Sequence, residues 1–164
     1  MTWDYDSIME GSNFCVRLAV PDDLPGILSL CAALWPDEPL QDVESHMAAT
    51  LGGEPWSTLP LVLFVAEVGR ELVGFVEVGL RSHAEGCDGR RAVGFIEGWF
   101  VRPEQRRRGI GRALLTWAEA WSRGQHAVEI ASDTWIDHSL SIDAHRALGF
   151  EIAERTIHFR KPLL

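Results

Sequence analysis

The feature that most constrains this chain is a change of hydrophobic period between residues 92 and 124. Residues 92–101, AVGFIEGWFV, form the near-continuous apolar run of a sheet-buried strand, and Pro103 stops it. From Arg106 the repeat turns helical. Ile110, Ala113, Leu114, Trp117, Ala118 and Trp121 fall at i, i+3, i+4, i+7, i+8 and i+11 on one face, which reads as core, and Gly124 ends it. The turn between the two elements, Arg106-Arg107-Arg108-Gly109-Ile110-Gly111-Arg112, is basic and rich in glycine. Such a junction suits an anion. Glycines allow close backbone approach, the N–H groups of a first helical turn lack intrahelical partners, and the helix dipole adds positive potential. No Gly-Lys-Ser/Thr follows, so it is not a Walker loop, and it lacks the third glycine of a dinucleotide fingerprint. A solvated basic loop is the simpler alternative.

Periodicity predicts the elements around this junction. Phe14 to Val20 reads as a strand, and Pro21-Asp22-Asp23 opens a helix through Leu24, Ile27, Leu28, Cys31 and Leu34 to the break at Trp35-Pro36. Leu40 to Leu51 is a second helix. Leu61–Val68 and Leu72–Leu80 form an antiparallel hairpin about Gly69-Arg70, followed by a loop from Arg81 to Arg91. Ala127–Ala131 is a short strand, Ile136–Leu148 a helix, and Phe150 to Lys161 one or two closing strands. At 164 residues, 46% hydrophobic and 24% charged, the chain is expected to form a single domain over 1–164, with residues 1–12 a poorly ordered extension.

Composition narrows the partners. The opening MTWDYDSIMEG lacks the basic and apolar regions of a signal peptide, and no stretch nears the ~20 apolar residues of a membrane span. Cys15, Cys31 and Cys87 are odd in number, widely spaced, and outside any zinc-like pattern, so a reducing cytoplasm and no metal are expected. The net charge of −9 divides unevenly. Residues 1–100 carry sixteen acids against five bases, and residues 101–164 eight acids against ten bases. An acidic half suits a small cation and a basic half a small anion, which argues against a nucleic-acid surface. An acidic surface kept for solubility is the plainer reading.

In its strand-to-helix setting, Arg106-x-x-Gly109-x-Gly111 resembles the acetyl-CoA signature R/Q-x-x-G-x-G/A of the GNAT superfamily of N-acetyltransferases. The resemblance covers nearly the whole chain. It implies an α/β fold whose mixed, mostly antiparallel central sheet is flanked by helices and splayed at the acetyl-CoA site. It also implies that Trp99, Phe100 and Val101 take the pantetheine arm in sheet-like hydrogen bonds, while Arg106, Arg107, Arg108, Gly109, Ile110, Gly111 and Arg112 enclose the pyrophosphate. His138 matches a further cofactor position, typically Asn in the family. Leu34-Trp35-Pro36, Gly86-Cys87-Asp88, Phe95-Ile96-Glu97-Gly98, Ala131-Ser132-Asp133-Thr134 and His145 to Glu151 are similar, in order and spacing, to the aminoglycoside 6′-N-acetyltransferases. That narrower resemblance implies acetylation of an aminoglycoside 6′-amine, antibiotic resistance and a homodimer using the C-terminal strands.

Acetyl transfer from a thioester to an amine needs a base for the ammonium, a donor for the oxyanion and a proton for the thiolate. Glu97, on the strand leading to the turn, and Asp133, just after Ala127–Ala131, are the carboxylate candidates. A parallel pairing of their strands would bring them together. Their alternatives are an ion-paired strand position and a helix N-cap. Family members commonly place a tyrosine acid where this chain has His145, and Tyr5 is its one tyrosine. His145 can take that role or be structural, with water protonating the thiolate. Trp35, Glu38, His83 and Glu154, besides Glu97 and Asp133, match acceptor-binding positions, the alternative being core for Trp35 and plain exposure for the acids. Cys87 has no readable His/Asp partner, which favours direct transfer without an acyl-enzyme. The rival readings are an acetyltransferase of a polyamine, protein N-terminus or lysine, and a non-catalytic acetyl-CoA sensor.

Overall fold

The computed structural model describes residues 13–54 and 57–163, so the expected extension at residues 1–12 lies outside the described residues. The elements run β1 (Cys15–Leu18), α1 (Leu24–Leu34, entered through a 3-10 turn at Pro21–Asp23), α2 (Leu40–Leu51), β2 (Leu61–Val68), β3 (Glu71–Arg81), β4 (Val93–Val101), α3 (Ile110–Gly124), β5 (Ile130–Ser132) and α4 (Ser139–Ala147). One sheet carries the strands in the order β1-β2-β3-β4-β5. The β1–β2, β2–β3 and β3–β4 pairs are antiparallel and β4–β5 is parallel. This is the mixed, mostly antiparallel architecture expected.

Alternation along the strands sorts two cores. Phe64, Ala66, Val76, Val78 and Ile96 face α3, where Ile110, Ala113, Leu114, Trp117 and Ala118 cover them. Leu63, Val65, Phe75 and Phe100 point the other way, onto Ile27, Leu30 and Cys31 of α1 and Met47 of α2. Trp117 is buried and Trp121 half-buried against the α3-side core, as the helical spacing predicts.

The pairing of β3 with β4 skips one residue. Glu77 stands opposite Gly98 and Val78 opposite Ile96, so Glu97 is the extra residue of a β-bulge. The bulge shifts the alternation, so that Ile96 before it and Val101 after it both belong to the α3-side core.

Several sequence expectations change. β1 is confined to Cys15–Leu18, Arg81 ends β3 instead of opening the loop, β5 begins three residues later and ends one later than expected, and α4 begins at Ser139 instead of Ile136. Residues 150–163 contain no strand. Their apolar residues Ile152, Ile157 and Phe159 are exposed, because a strand forms only against a partner and this segment pairs with none of β1–β5.

Candidate active site

Parallel pairing of β4 with β5 covers only Gly94–Ile96 against Ile130–Ser132. Beyond Ile96 the β5-side edge of β4 stands open, and the two strands part. On its other side β4 continues to pair with β3, Val76 opposite Trp99 and Gly74 opposite Val101. Outward-facing N–H and C=O groups of residues 97–100 are therefore available for an extended, amide-bearing chain to add as a short strand. Glu97 and Asp133 each follow the last paired position, Ile96↔Ser132, so the two residues stand where the strands begin to part.

The basic turn closes on itself without filling that opening. Arg106 is not a free cation: its Nε donates to the Val101 carbonyl at 2.9 Å and its guanidinium lies 5.7 Å from the Phe100 ring, clamping the turn to the strand end. Arg107, Arg108 and Arg112 are exposed. Arg107 and Gly109 take positive φ, 65° and 87°, and Gly109 is the N-cap of α3 without a side-chain cap. The first intrahelical bond runs from the Ala113 N–H to the Gly109 carbonyl, leaving the N–H groups of Ile110, Gly111 and Arg112 ahead of it. These open donors, the exposed guanidiniums and the bare edge of β4 fit the pyrophosphate and amide-bearing arm of acetyl-CoA.

Among the described residues two buried side-chain polar atoms have no hydrogen-bond partner, Trp99 Nε1 and His145 Nε2, and their rings meet edge-on at 5.4 Å. His145 also packs edge-on against Phe150 at 5.1 Å. Its Nδ1 lies 2.8 Å from the Ser141 carbonyl, one turn back on α4, and so carries the proton it donates there. In the neutral ring Nε2 is then an acceptor, and donation from it requires the imidazolium. His138, the N-cap residue of α4, is exposed.

On the opposite face an aromatic side chain lies against β4. A Cβ built on Gly98 would stand 2.7 Å from Trp35 Cη2, so the indole at the end of α1 lies directly on β4 beside Glu97. Trp35 also meets Phe75 edge-on at 6.1 Å. Arg81 Nε and Nη2 bind the two Glu97 oxygens at 2.9 and 2.6 Å, and the Arg81 guanidinium caps the Phe95 ring at 3.4 Å. Glu97 thus occupies the ion-paired strand position that the sequence left as an alternative. Asp133 is exposed and lies in no helix, so the N-cap alternative fails. Glu38 and His83 are exposed, and exposed Glu154 accepts the Thr156 hydroxyl at 2.6 Å.

Sequence reasoning missed Arg81, placed there in a loop, and the buried pair of Glu77 with His46, whose Nε2 lies 2.7 Å from Glu77 Oε1. One acid inside the apolar run of β3 was the available signal for Glu77. Nothing marked His46. Among the described residues no group of three or more His, Cys, Asp or Glu is placed to hold a metal ion.

A profile described as "Acetyltransferase (GNAT) family" matches residues 27–150. An aminoglycoside N(6′)-acetyltransferase type 1 of Klebsiella aerogenes is 40% identical over 152 residues, covering 93% of this chain and 99% of that protein. One of Stenotrophomonas maltophilia is 37% identical, covering 90% and 93%. The solved structure of AAC(6′)-Iy with the bisubstrate analogue CoA-S-monomethyl-acetylneamine superposes with a TM-score of 0.81 at 31% identity, over 92% of this chain and 99% of that one. The same enzyme with CoA gives 0.83 at 30% identity. An open strand edge running into an uncapped basic helix start, in a mixed sheet matched by these structures along its length, makes this chain a member of the GNAT family of acetyl-CoA-dependent N-acetyltransferases.

Proposed function

We propose that this chain is an aminoglycoside 6′-N-acetyltransferase, a single domain that passes acetyl directly from acetyl-CoA to the 6′-amine. The reading of the acceptor rests on nine-tenths-length similarity to enzymes of that name. The chemistry is supported by one observation, the register that ends at Ile96↔Ser132 and leaves Glu97 and Asp133 as the next residue on each strand path. Glu97 has both oxygens committed to Arg81 and serves as a fixed anionic contact for the acceptor. Asp133, exposed where the strands begin to part, anchors the 6′-ammonium and takes its proton. The neutral amine then attacks the thioester carbon. The C–N bond forms, the C–S bond breaks, and N–H groups on the open edge of β4 receive the oxyanion. His145, once imidazolium, gives the Nε2 proton to the departing thiolate. Trp35 covers a sugar ring, with Glu38, His83 and Glu154 as further acceptor contacts.

Acetylation removes an ammonium and with it the charge-assisted hydrogen bonds the antibiotic makes to RNA, which is the route to resistance. The enzyme works in the cytoplasm, where acetyl-CoA is available, as a homodimer. The exposed Ile157 and Phe159 of an unpaired segment support a second copy as the missing strand partner.

The test is thiol release from acetyl-CoA with kanamycin, its 6′-hydroxyl analogue, spermidine and a lysine-bearing peptide in parallel. Saturable turnover with kanamycin, abolished by the hydroxyl analogue, is expected. Turnover with spermidine or peptide alone would keep the fold and cofactor and discard the antibiotic, and tight CoA binding with no turnover would favour a sensor.

A further inference from the structure

The most deeply buried charge in the acceptor half of the molecule is Glu77, 1% exposed in the middle of β3. Its Oε1 accepts from His46 Nε2 of α2 at 2.7 Å, and its register partner is Gly98, immediately after the bulge residue Glu97. The pair therefore lies on the same face of the sheet as Trp35, which rests on Gly98. A carboxylate this deep is tolerated because a cation stands against it. The hydrogen bond to Glu77, and after it the charges of Glu77 and Glu97, hold the His46 imidazolium above its ordinary range, while burial works the other way.

The other ionisable groups packed around the pair leave His46 as its variable charge. On β3, Arg81 is bound at both ends of its fork to Glu97. From α1 comes the thiol of Cys31, pushed up to about 12 by burial and by Glu77, and hence neutral. Glu67 of β2 is bound to Arg17, and Asp42 and Glu44 of α2 itself are exposed. With His46 protonated, the pair is neutral. Without that proton, it places one negative charge on the Trp35 face of the sheet.

We propose that His46 is a positioning residue for the acceptor: acting through Glu77, it sets the charge behind the Glu97 bulge, so that a cationic acceptor binds more tightly to the neutral His46 state than to the imidazolium. The inference deepens the acceptor reading above and rests on it.

The experiment measures the KM of kanamycin and that of acetyl-CoA from about pH 6 to about pH 9 for the wild type, His46→Gln and Glu77→Gln. In His46→Gln the introduced amide can still donate to Glu77 but carries no charge. The kanamycin KM of that variant is expected to lie roughly three- to fivefold below wild type at the acid end and to converge with it at the alkaline end. Glu77→Gln is expected to raise the kanamycin KM by a similar factor at the alkaline end only. The acetyl-CoA KM should not move in either. A variant-to-wild-type ratio independent of pH would mark a structural role and overturn the proposal. Linkage supplies a second readout that needs no variant: saturating kanamycin should lower the pH midpoint of the His46 ring signals in NMR, and an unmoved midpoint overturns the proposal. Absence of kanamycin turnover in the wild type would overturn the acceptor reading and this inference together, whereas turnover with a flat ratio would overturn this inference alone.

Discussion

Gly98 is the residue on which the acceptor side depends most narrowly. It is the place where an indole rests on a strand, and a methyl group there would collide with Trp35 at 2.7 Å. Gly98→Ala is expected to displace the indole and raise the kanamycin KM by about tenfold while leaving that of acetyl-CoA within about twofold, as steady-state kinetics would show. Asp133→Asn, which keeps shape and removes the base, should lower kcat by about 100-fold or more; a loss under about tenfold would move the base elsewhere. Asp133 and Glu97 were legible because each follows a recognisable run on its own strand. Arg81, Glu77 and His46 were not. Arg81 meets Glu97 sixteen residues away and His46 meets Glu77 thirty-one away, and such pairings exist only once strand register and helix placement are fixed.

Among the elements, those legible in sequence were the ones that bury a face. Leu40–Leu51 and Leu61–Val68 have the bounds that periodicity assigns, and the helical face from Ile110 to Trp121 lies on the sheet. The segment after Phe150 alternates much as a strand does, but alternation describes a face and supplies no hydrogen-bonding neighbour. Where β1 meets the start of α1, Arg17 holds Asp23 through two bonds of 2.7 and 2.9 Å and reaches Glu67 of β2 at 3.0 Å. The Arg17 bond keeps the Asp23 carboxyl below its ordinary range, with the Val20 N–H helping and burial opposing. Its stabilisation is therefore complete above the ordinary carboxylate value and lost as the pH falls through the lowered one. Asp23→Asn should cost about 1–2 kcal/mol near neutral pH and progressively less as the pH falls below the ordinary carboxylate range, as urea denaturation across that range would reveal.

For the molecule as a whole, strand β4 separates two environments. The basic turn and the start of α3 follow its C-terminal end, and Trp35 lies on Gly98 on the face that packs against α1. Two ligands of opposite charge can so approach one strand without competing. The exposed tail belongs to this scale through the proposed homodimer. Phe159, 92% exposed, should be a contact between copies, and Ile157→Glu with Phe159→Glu should shift the protein from dimer to monomer in light scattering while circular dichroism stays unchanged.

The bulge at Glu97 also bears on how such a gene can drift. Because β4 carries one residue more than its partner needs, Ile96 and Val101 share a face although five residues apart. Losing Glu97 would close the bulge and keep those faces while removing the partner of Arg81, whereas gaining one codon between 98 and 101 would turn Phe100 toward α3 and Val101 toward α1, placing the wrong volumes in both cores at once. The segment 82–92 joins β3 to β4 outside any ladder and can lengthen or shorten without touching that parity. Diversification of this protein is therefore expected to proceed by substitution along β4 and by length change in the neighbouring loop, and libraries built to alter its acceptor range should follow the same division.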